Sequence, residues 1–341
     1  MRSFTRYYII LSIIVIALFL ANICFGTITI SIDDLLGSLT GKGGNETNDI
    51  IILNSRLPQA ITALFSGAAL AVSGLMLQTL FNNPLAAPSI LGVSSGAGVG
   101  VAVVMLLLGG NIAGFGIGGQ LALVFGSMVG AMSVLITILL FSLKVKNSVM
   151  LLIIGIMVGY IATSVVSLLS YMGTTEGVYT FVMWGMGDFS AVSSSNINYF
   201  VGFILLALAV AFSLTKSLNG LLLGENYCEN LGINTTRARV MILISTGILT
   251  SVVTAFCGPI SFLGLATPHI ARLLIGSSNH RALLPVTTLI GSAMALMCNL
   301  ISTTAGGGML IPLNVITPFL GAPVIIYVVV NRDKIPYFNK Q

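Results

Sequence analysis

The chain has 341 residues, 56% of them apolar and only 7% charged. Soluble domains carry about 25% charged residues, so this composition cannot clothe a water-facing surface. A soluble enzyme, a secreted module, a disordered chain and a nucleic-acid binder are all excluded. The net charge of +5 is scattered and forms no basic stripe. What remains is an integral membrane protein.

Arg2 and Arg6 precede an apolar run from Tyr7 to Ala21. No small-x-small cleavage site follows, and Ala21-Asn22-Ile23-Cys24 is a poor lipoprotein box, so the run reads as an uncleaved first span in preference to a signal peptide. An ionised side chain at the centre of a spanning helix costs about 2.5–3.5 kcal/mol. Stretches free of Asp, Glu, Lys and Arg therefore mark the bilayer: 7–32, 57–143, 147–175, 189–215, 240–271 and 282–331. At about 20–25 residues per crossing they hold about ten helices.

Charge sets the direction of each crossing, because Lys and Arg collect in cytoplasmic loops. With Arg2 and Arg6 inside, segment 33–56 is outside, where Asp33, Asp34, Glu46 and Asp49 outnumber Lys42 and Arg56. Lys144 and Lys146 belong inside, so 57–143 crosses three times. Segment 147–175 crosses outward to Glu176 and Asp188, and 189–215 returns to Lys216, Arg237 and Arg239. Arg272 with Arg281, and then Arg332, Lys334 and Lys340, are also inside, which requires two spans in 240–271 and two in 282–331. The expectation is an all-α polytopic protein of ten spans forming one domain over 1–341, with both termini cytoplasmic. The two crossings in 240–271 must be short or partly buried, and Gly258-Pro259 supplies the break between them.

Glycines recur four residues apart (Gly92, Gly96 and Gly100; Gly114 and Gly118; Gly126 and Gly130; Gly155 and Gly159), a spacing that lets helices approach closely in lipid. Asn82-Asn83-Pro84-Leu85-Ala86-Ala87-Pro88-Ser89 interrupts the longest apolar stretch at the inner turn between spans 2 and 3. It reads either as a plain connection or as a constriction lining a pore, since irregular backbone does not face lipid. No span carries a central acid or base, so no proton relay or ion-coupling charge is visible. His269 and His280 fall near the inner boundary and read as packing or interfacial residues. Gly41-Lys42-Gly43 lacks the nucleotide-binding loop spacing. Cys24, Cys228, Cys257 and Cys298 show no metal spacing and read as isolated apolar residues. No catalytic site, metal or cofactor is expected.

The inner loop between spans 6 and 7 is unusually long. Residues 217–236 read as two short helices punctuated by Gly224 and Gly232, with Leu, Tyr and Ile among polar residues. The segment is either an interfacial amphipathic helix or a docking surface for a cytosolic partner.

Taken together, these motifs resemble the FecCD/BtuC-type permeases, the membrane subunits of ABC importers for iron-siderophores, haem and cobalamin. The residues that carry the resemblance are Arg56-Leu57-Pro58; Gly74 to Gln78 with Asn83-Pro84-Leu85-Ala86 and Leu91-Gly92-Val93-Ser94; Leu223-Gly224-Glu225 with Leu231-Gly232-Ile233; Gly258-Pro259-Ile260 with Phe262, Gly264-Leu265 and Pro268-His269-Ile270-Ala271-Arg272; and Gly321-Ala322-Pro323. The resemblance implies a type II importer permease fold in the bacterial cytoplasmic (inner) membrane. It implies a homodimer around a central pathway, two cytosolic ATP-binding subunits and an extracytoplasmic binding protein, with no enzymatic activity in the permease itself. It places the ATPase coupling surface at Leu223, Gly224, Glu225, Leu231, Gly232 and Ile233, and a cytoplasmic gate at Asn83 and Leu85 with Asn147 and Ser148. Arg56 takes the place of the outer-face arginine that meets the binding protein. The chain departs from the pattern at Gln59, where many relatives carry a second arginine, and at Asn299 and Thr303, where an Asp and an Arg are usual. Leu310-Ile311-Pro312 replaces a common Glu-Leu-Pro. The rival reading is an ion-coupled secondary transporter, which needs an intramembrane acid.

Overall fold

The computed structural model of the protein describes residues 2–26, 37, 46–107, 116–145, 147–306 and 309–331. Asp33, Asp34, Gly41, Lys42, Gly43, Gly114, Lys146, Arg332, Lys334 and Lys340, used above, lie outside the described residues.

Every regular element among the described residues is a helix. The helices, in chain order, are α1 (Arg2–Cys24), α2 (Glu46–Ile51), α3 (Leu57–Leu80), α4 (Val93–Ala102), α5 (Gly116–Lys144), α6 (Ser148–Met172), α7 (Thr175–Gly185), α8 (Ile197–Ser213), α9 (Thr215–Leu221), α10 (Glu225–Asn230), α11 (Thr235–Cys257), α12 (Leu263–Ile275), α13 (His280–Thr304) and α14 (Leu313–Val330). A π-helical turn, Ile52–Arg56, joins α2 to α3, and another, Val103–Leu107, extends α4. The ten expected spans are α1, α3, α4, α5, α6, α8, α11, α12, α13 and α14. Three of them fall in 57–143 and two in each of 240–271 and 282–331, as the charge parity requires. Six helices are long and apolar enough to cross a membrane outright, and α8 with α9 forms a seventh, bent by 52°.

Helix α3 is the axis of the bundle. Its spanning window is 83% buried, against 22% for α1 and for α6, which therefore stand at the periphery. It packs against α13, α11, α12 and α8. Its sequence explains why: Ala60, Ala63, Gly67, Ala68, Ala69, Ala71, Ser73 and Gly74 keep every face narrow. Pro58, which has no N–H to give, lies where the π turn Ile52–Arg56 runs into α3. In lipid, association depends on close van der Waals contact because burial from water drives nothing. A Cβ on Gly67 would strike the carbonyl of Gly291 on α13, and one on Gly74 would strike that of Gly264 on α12. The four-residue glycine spacing works the same way between α4 and its neighbours. Gly96 faces Gly130 and Gly100 faces Gly126 on α5, while Gly92 lies against Gly155 and Gly159 on α6.

The break in 240–271 falls at Gly258-Pro259. Helix α11 stops at Cys257, Gly258 takes φ 76°, and α12 begins after Phe262 at φ 64°. With 13 residues, α12 is about 20 Å long and cannot span a core of about 30 Å. The unwound backbone therefore lies within the thickness of the membrane, where it needs protein partners. Asn314 of α14 supplies them: its Nδ2 donates to the carbonyls of Pro259 (2.6 Å) and Gly185 (2.9 Å), and its Oδ1 accepts from Ser261 N–H at 3.1 Å. Asp188 N–H donates to Cys257 O at 2.9 Å.

Two elements were missed by the charge rule. Helix α2 with its π turn lengthens the second span outward, and α7 stands where an outer loop was expected. Each contains an acid, Glu46 or Glu176, and a rule that looks for ion-free stretches passes over both.

Candidate functional site

The inner turn after α3 is a built structure and not a slack connection. Phe81 caps the helix and Asn82 turns the chain at φ 44°. Asn83 Oδ1 then accepts the N–H of Leu85 at 2.9 Å, and the Ala86 N–H donates to Asn83 O at 3.1 Å. From α12, His269 Nε2–H donates to the carbonyl of Pro84 at 2.8 Å, and Arg272 Nη1 donates to Gln78 Oε1 at 2.5 Å. Held on both sides, the turn presents Leu85 at its tip, 45% exposed. Gly92, at φ 76°, starts α4 against Gly159. Asn147 is the N-cap of α6, its Oδ1 accepting from Val149 N (2.9 Å) and Met150 N (3.2 Å), and Ser148 opens the helix. The shown geometry of Asn147 is that of a cap.

The segment between spans 6 and 7 forms the two short helices expected of it. Gly224 (φ 98°) and Gly232 (φ 75°) turn the chain in a region that side-chain-bearing residues rarely adopt. Between them α10 opens at Glu225 and seats Cys228, fully buried, on Gly220 of α9. Ile233 packs against the same glycine, and its N–H donates to Cys228 O at 3.2 Å. Leu223, Tyr227 and Leu231 are left exposed. Leu223 and Leu231 border a groove of about 750 Å³ whose walls include Lys216, Asn219, Asn279 and Arg281. Apolar side chains standing out beside two cations make a surface for a protein partner more than for bulk water.

At the outer end, Arg56 lies in the π turn and is only 7% exposed. Its guanidinium is turned onto the end of α1 and donates to Ile23 O (2.8 Å) and Cys24 O (2.9 Å). Gly26 leaves room for it. In this conformation it satisfies helix carbonyls that have no intrahelical donor. The departures noted at Gln59 and Asn299 meet nearby. Gln59 Nε2 donates to Asn299 Oδ1 at 3.1 Å, and Asn299 Nδ2 donates to Asn22 Oδ1 at 2.8 Å. Neutral amides thus tie α3, α13 and α1 together, 240 and 277 residues apart in sequence.

Sequence reasoning passed over a cavity of about 300 Å³ between α4, α6, α7 and the 258–262 break. Ser89, Ser94, Ser95, Thr163 and Ser261 give it a hydroxyl lining beside Phe181 and Trp184. The indole Nε1 of Trp184 is buried without a hydrogen-bond partner. Small hydroxyl residues scattered over four elements leave no spacing to detect. A second cavity of similar size, which includes Trp184 and Asp188, lies toward Leu310-Ile311-Pro312. Helix α6 adds Tyr160, Ser164, Ser167 and Tyr171, which share one helical stripe and are all exposed.

Comparison with known proteins agrees with this architecture. Residues 13–331 match the FecCD transport family. The "Vitamin B12 import system permease protein BtuC" of Salmonella paratyphi A is 32% identical over 98% of this chain and 97% of its own. The protein of the same description from Citrobacter koseri is 31% identical over 98% and 96%. A solved structure described as an inward-facing conformation of a metal-chelate type ABC transporter superposes with a TM-score of 0.84 at 29% identity, covering 96% of this chain and 99% of that one.

Proposed function

This chain belongs to the FecCD transport family and is a multi-pass permease of an ABC importer in the bacterial inner membrane; on that premise we propose that it carries a metal chelate, a cobalamin-type corrinoid ahead of haem or an iron-siderophore. The relatives named above are vitamin B12 import permeases, and the hydroxyl-lined cavity holds no ionised side chain among its walls. Such a surface binds a bulky polar chelate through weak hydrogen bonds that let it leave again.

The observation that carries the reading is Tyr160. It stands at the midpoint of the 25-residue α6 and is exposed. A phenol facing hydrocarbon at mid-depth has no partner for its O–H, so this face of α6 meets water or protein. We assign it to a central pathway closed by a second copy of the chain, giving a homodimer.

Two ATP-binding subunits dock on Leu223, Gly224, Glu225, Leu231, Gly232 and Ile233 and supply the hydrolysis that the permease lacks. ATP-driven closure of those subunits rocks the paired bundles as rigid bodies. The gate at Asn83 and Leu85, with Asn147 and Ser148, opens and shuts in step. A binding protein delivers cargo at the outer face, where Arg56, once released from the end of α1, is one contact. The ion-coupled alternative falls with the family assignment.

The test is uptake into proteoliposomes holding the permease, its ATP-binding subunits and its binding protein. Radiolabelled cobalamin should enter in an ATP-dependent, saturable way. Entry of haem or a ferric siderophore alone would move the cargo within the class, and uptake driven by an ion gradient without ATP would overturn the reading.

A further inference from the structure

A chain of polar contacts begins at Asn219 and Asn279 in the groove beside the coupling segment and runs inward to buried His280 and Thr79. Asn219 of α9 grips the N-terminus of α13. Its Oδ1 accepts the backbone N–H of His280 at 2.8 Å, and its Nδ2 donates to Asn279 Oδ1 at 3.1 Å. Asn279 in turn caps α13 by accepting from Arg281 N at 2.9 Å. His280, almost fully buried, places Nδ1 3.1 Å from Asn219 Oδ1 and Nε2 2.7 Å from Thr79 Oγ1 on α3.

The directions of these bonds can be assigned. A backbone N–H only donates, so the atom of Asn219 facing it is the oxygen and the amide cannot be flipped. The imidazole Nδ1 facing that same oxygen must carry a proton. In the neutral ring Nε2 is then an acceptor, and the single hydroxyl proton of Thr79 goes to it. Thr79 Oγ1 also lies 3.0 Å from Leu75 O, but the hydroxyl has no second proton to give. Each group in the chain has one role.

Thr79 is also where the gate turn is fastened. Its carbonyl accepts the N–H of Asn82 at 3.2 Å, and the carbonyl of Gln78 accepts that of Asn83 at 3.1 Å. At the other end, α9 carries α10 directly through the contact of Cys228 and Ile233 with Gly220, next to Asn219. The groove lined by Asn219 and Asn279 is bordered by Leu223 and Leu231. A partner that moves α10 therefore moves the first link of the chain.

We propose that Asn219, His280 and Thr79 form the mechanical link through which displacement of the coupling helix α10 reaches the gate turn at Asn82–Leu85. They are positioning residues: none touches cargo or nucleotide. The link rests on the importer reading above. It differs from a general tilt of the bundle because specific directional bonds carry the displacement, so removing one hydroxyl should uncouple the two ends.

The test uses the permease assembled with its ATP-binding subunits in proteoliposomes and needs no knowledge of the cargo. Leu85→Cys reports on the gate through its reaction with a membrane-impermeant maleimide, with and without ATP and vanadate; the parent with its native cysteines is the blank. Thr79→Val keeps the volume and branching but removes the hydroxyl, Thr79→Ser restores it, and Asn219→Ala cuts the other end.

In Thr79→Val and Asn219→Ala the ATP-dependent change in labelling should shrink roughly five-fold or more, the lower end of couplings between linked sites, while ATP hydrolysis by the assembled Thr79→Val complex persists. Thr79→Ser should behave as the parent. Thr79→Val with Asn219→Ala should be no worse than either alone, because both interrupt one chain. A full labelling change in both single variants, or losses that add in the double variant, would overturn the link. Loss of assembly in one variant leaves the other, with Thr79→Ser, to decide. If the parent complex itself neither assembles with ATP-binding subunits nor responds to ATP, the importer reading fails, and this link with it.

Discussion

Arg56 makes two demands that one experiment separates. Its guanidinium donates to two carbonyls at the end of α1, at 2.8 and 2.9 Å, while only 7% exposed. Hydrogen bonds to a charged group contribute about 1.5–3 kcal/mol each, so the pair is worth about 3–6 kcal/mol. Truncation to alanine also releases the guanidinium from its buried site, and the recovered solvation offsets part of that loss. A net destabilisation of about 2–4 kcal/mol follows, equivalent to about 4–8 °C at roughly 2 °C per kcal/mol. Thermal unfolding of the purified permease in detergent should show that fall for Arg56→Ala. Arg56→Lys should lie between, since an ammonium keeps the charge but not the planar fork that reaches both carbonyls. Binding-protein affinity, measured on the same variants, reports separately on the proposed docking contact. An unchanged midpoint in Arg56→Ala would refute the clamp on α1.

The amide network should behave as one unit. Asn299→Leu strands the Gln59 and Asn22 amides and costs about 1–3 kcal/mol, whereas Gln59→Leu combined with it should cost less than the sum in a double-mutant cycle of unfolding. Gly74→Ala would press a methyl onto the Gly264 carbonyl and should cut the yield of folded permease, at or above the ~1–3 kcal/mol typical of overpacking. Gly98→Ala, with open space around it, should fold as the parent does. Ser164→Cys on the α6 stripe should react with a water-soluble thiol reagent, and Ile13→Cys on the apolar outer face of α1 should not; equal reactivity would remove the aqueous pathway from α6. Glu225→Ala should insert normally yet lower transport-coupled ATP hydrolysis, and unchanged coupling would count against its place in the docking surface.

The spans were readable one residue at a time because the cost of burying an ion in lipid is local and large. That rule required two crossings in 240–271, and glycine and proline as breakers then gave the break at Gly258-Pro259 and the paired short helices of the inner loop. It passed over α2 and α7 for the same reason, since each carries an acid and sits at the outer rim, where an acid costs little. Glycine spacing announced close contacts on α4, α5 and α6 without saying which faces meet.

Composition and order along the chain determined that this protein lives in the bilayer, how often it crosses and to which family it belongs. Only the folded bundle decided which polar groups share a partner. Gln59 reaches Asn299, Asn219 reaches His280, which reaches Thr79, and five hydroxyls drawn from four elements line one cavity. Those pairings depend on helices far apart in sequence approaching within hydrogen-bond reach. A bond of that range leaves no periodicity in either partner, so it exists only once the packing of small residues has fixed the distance.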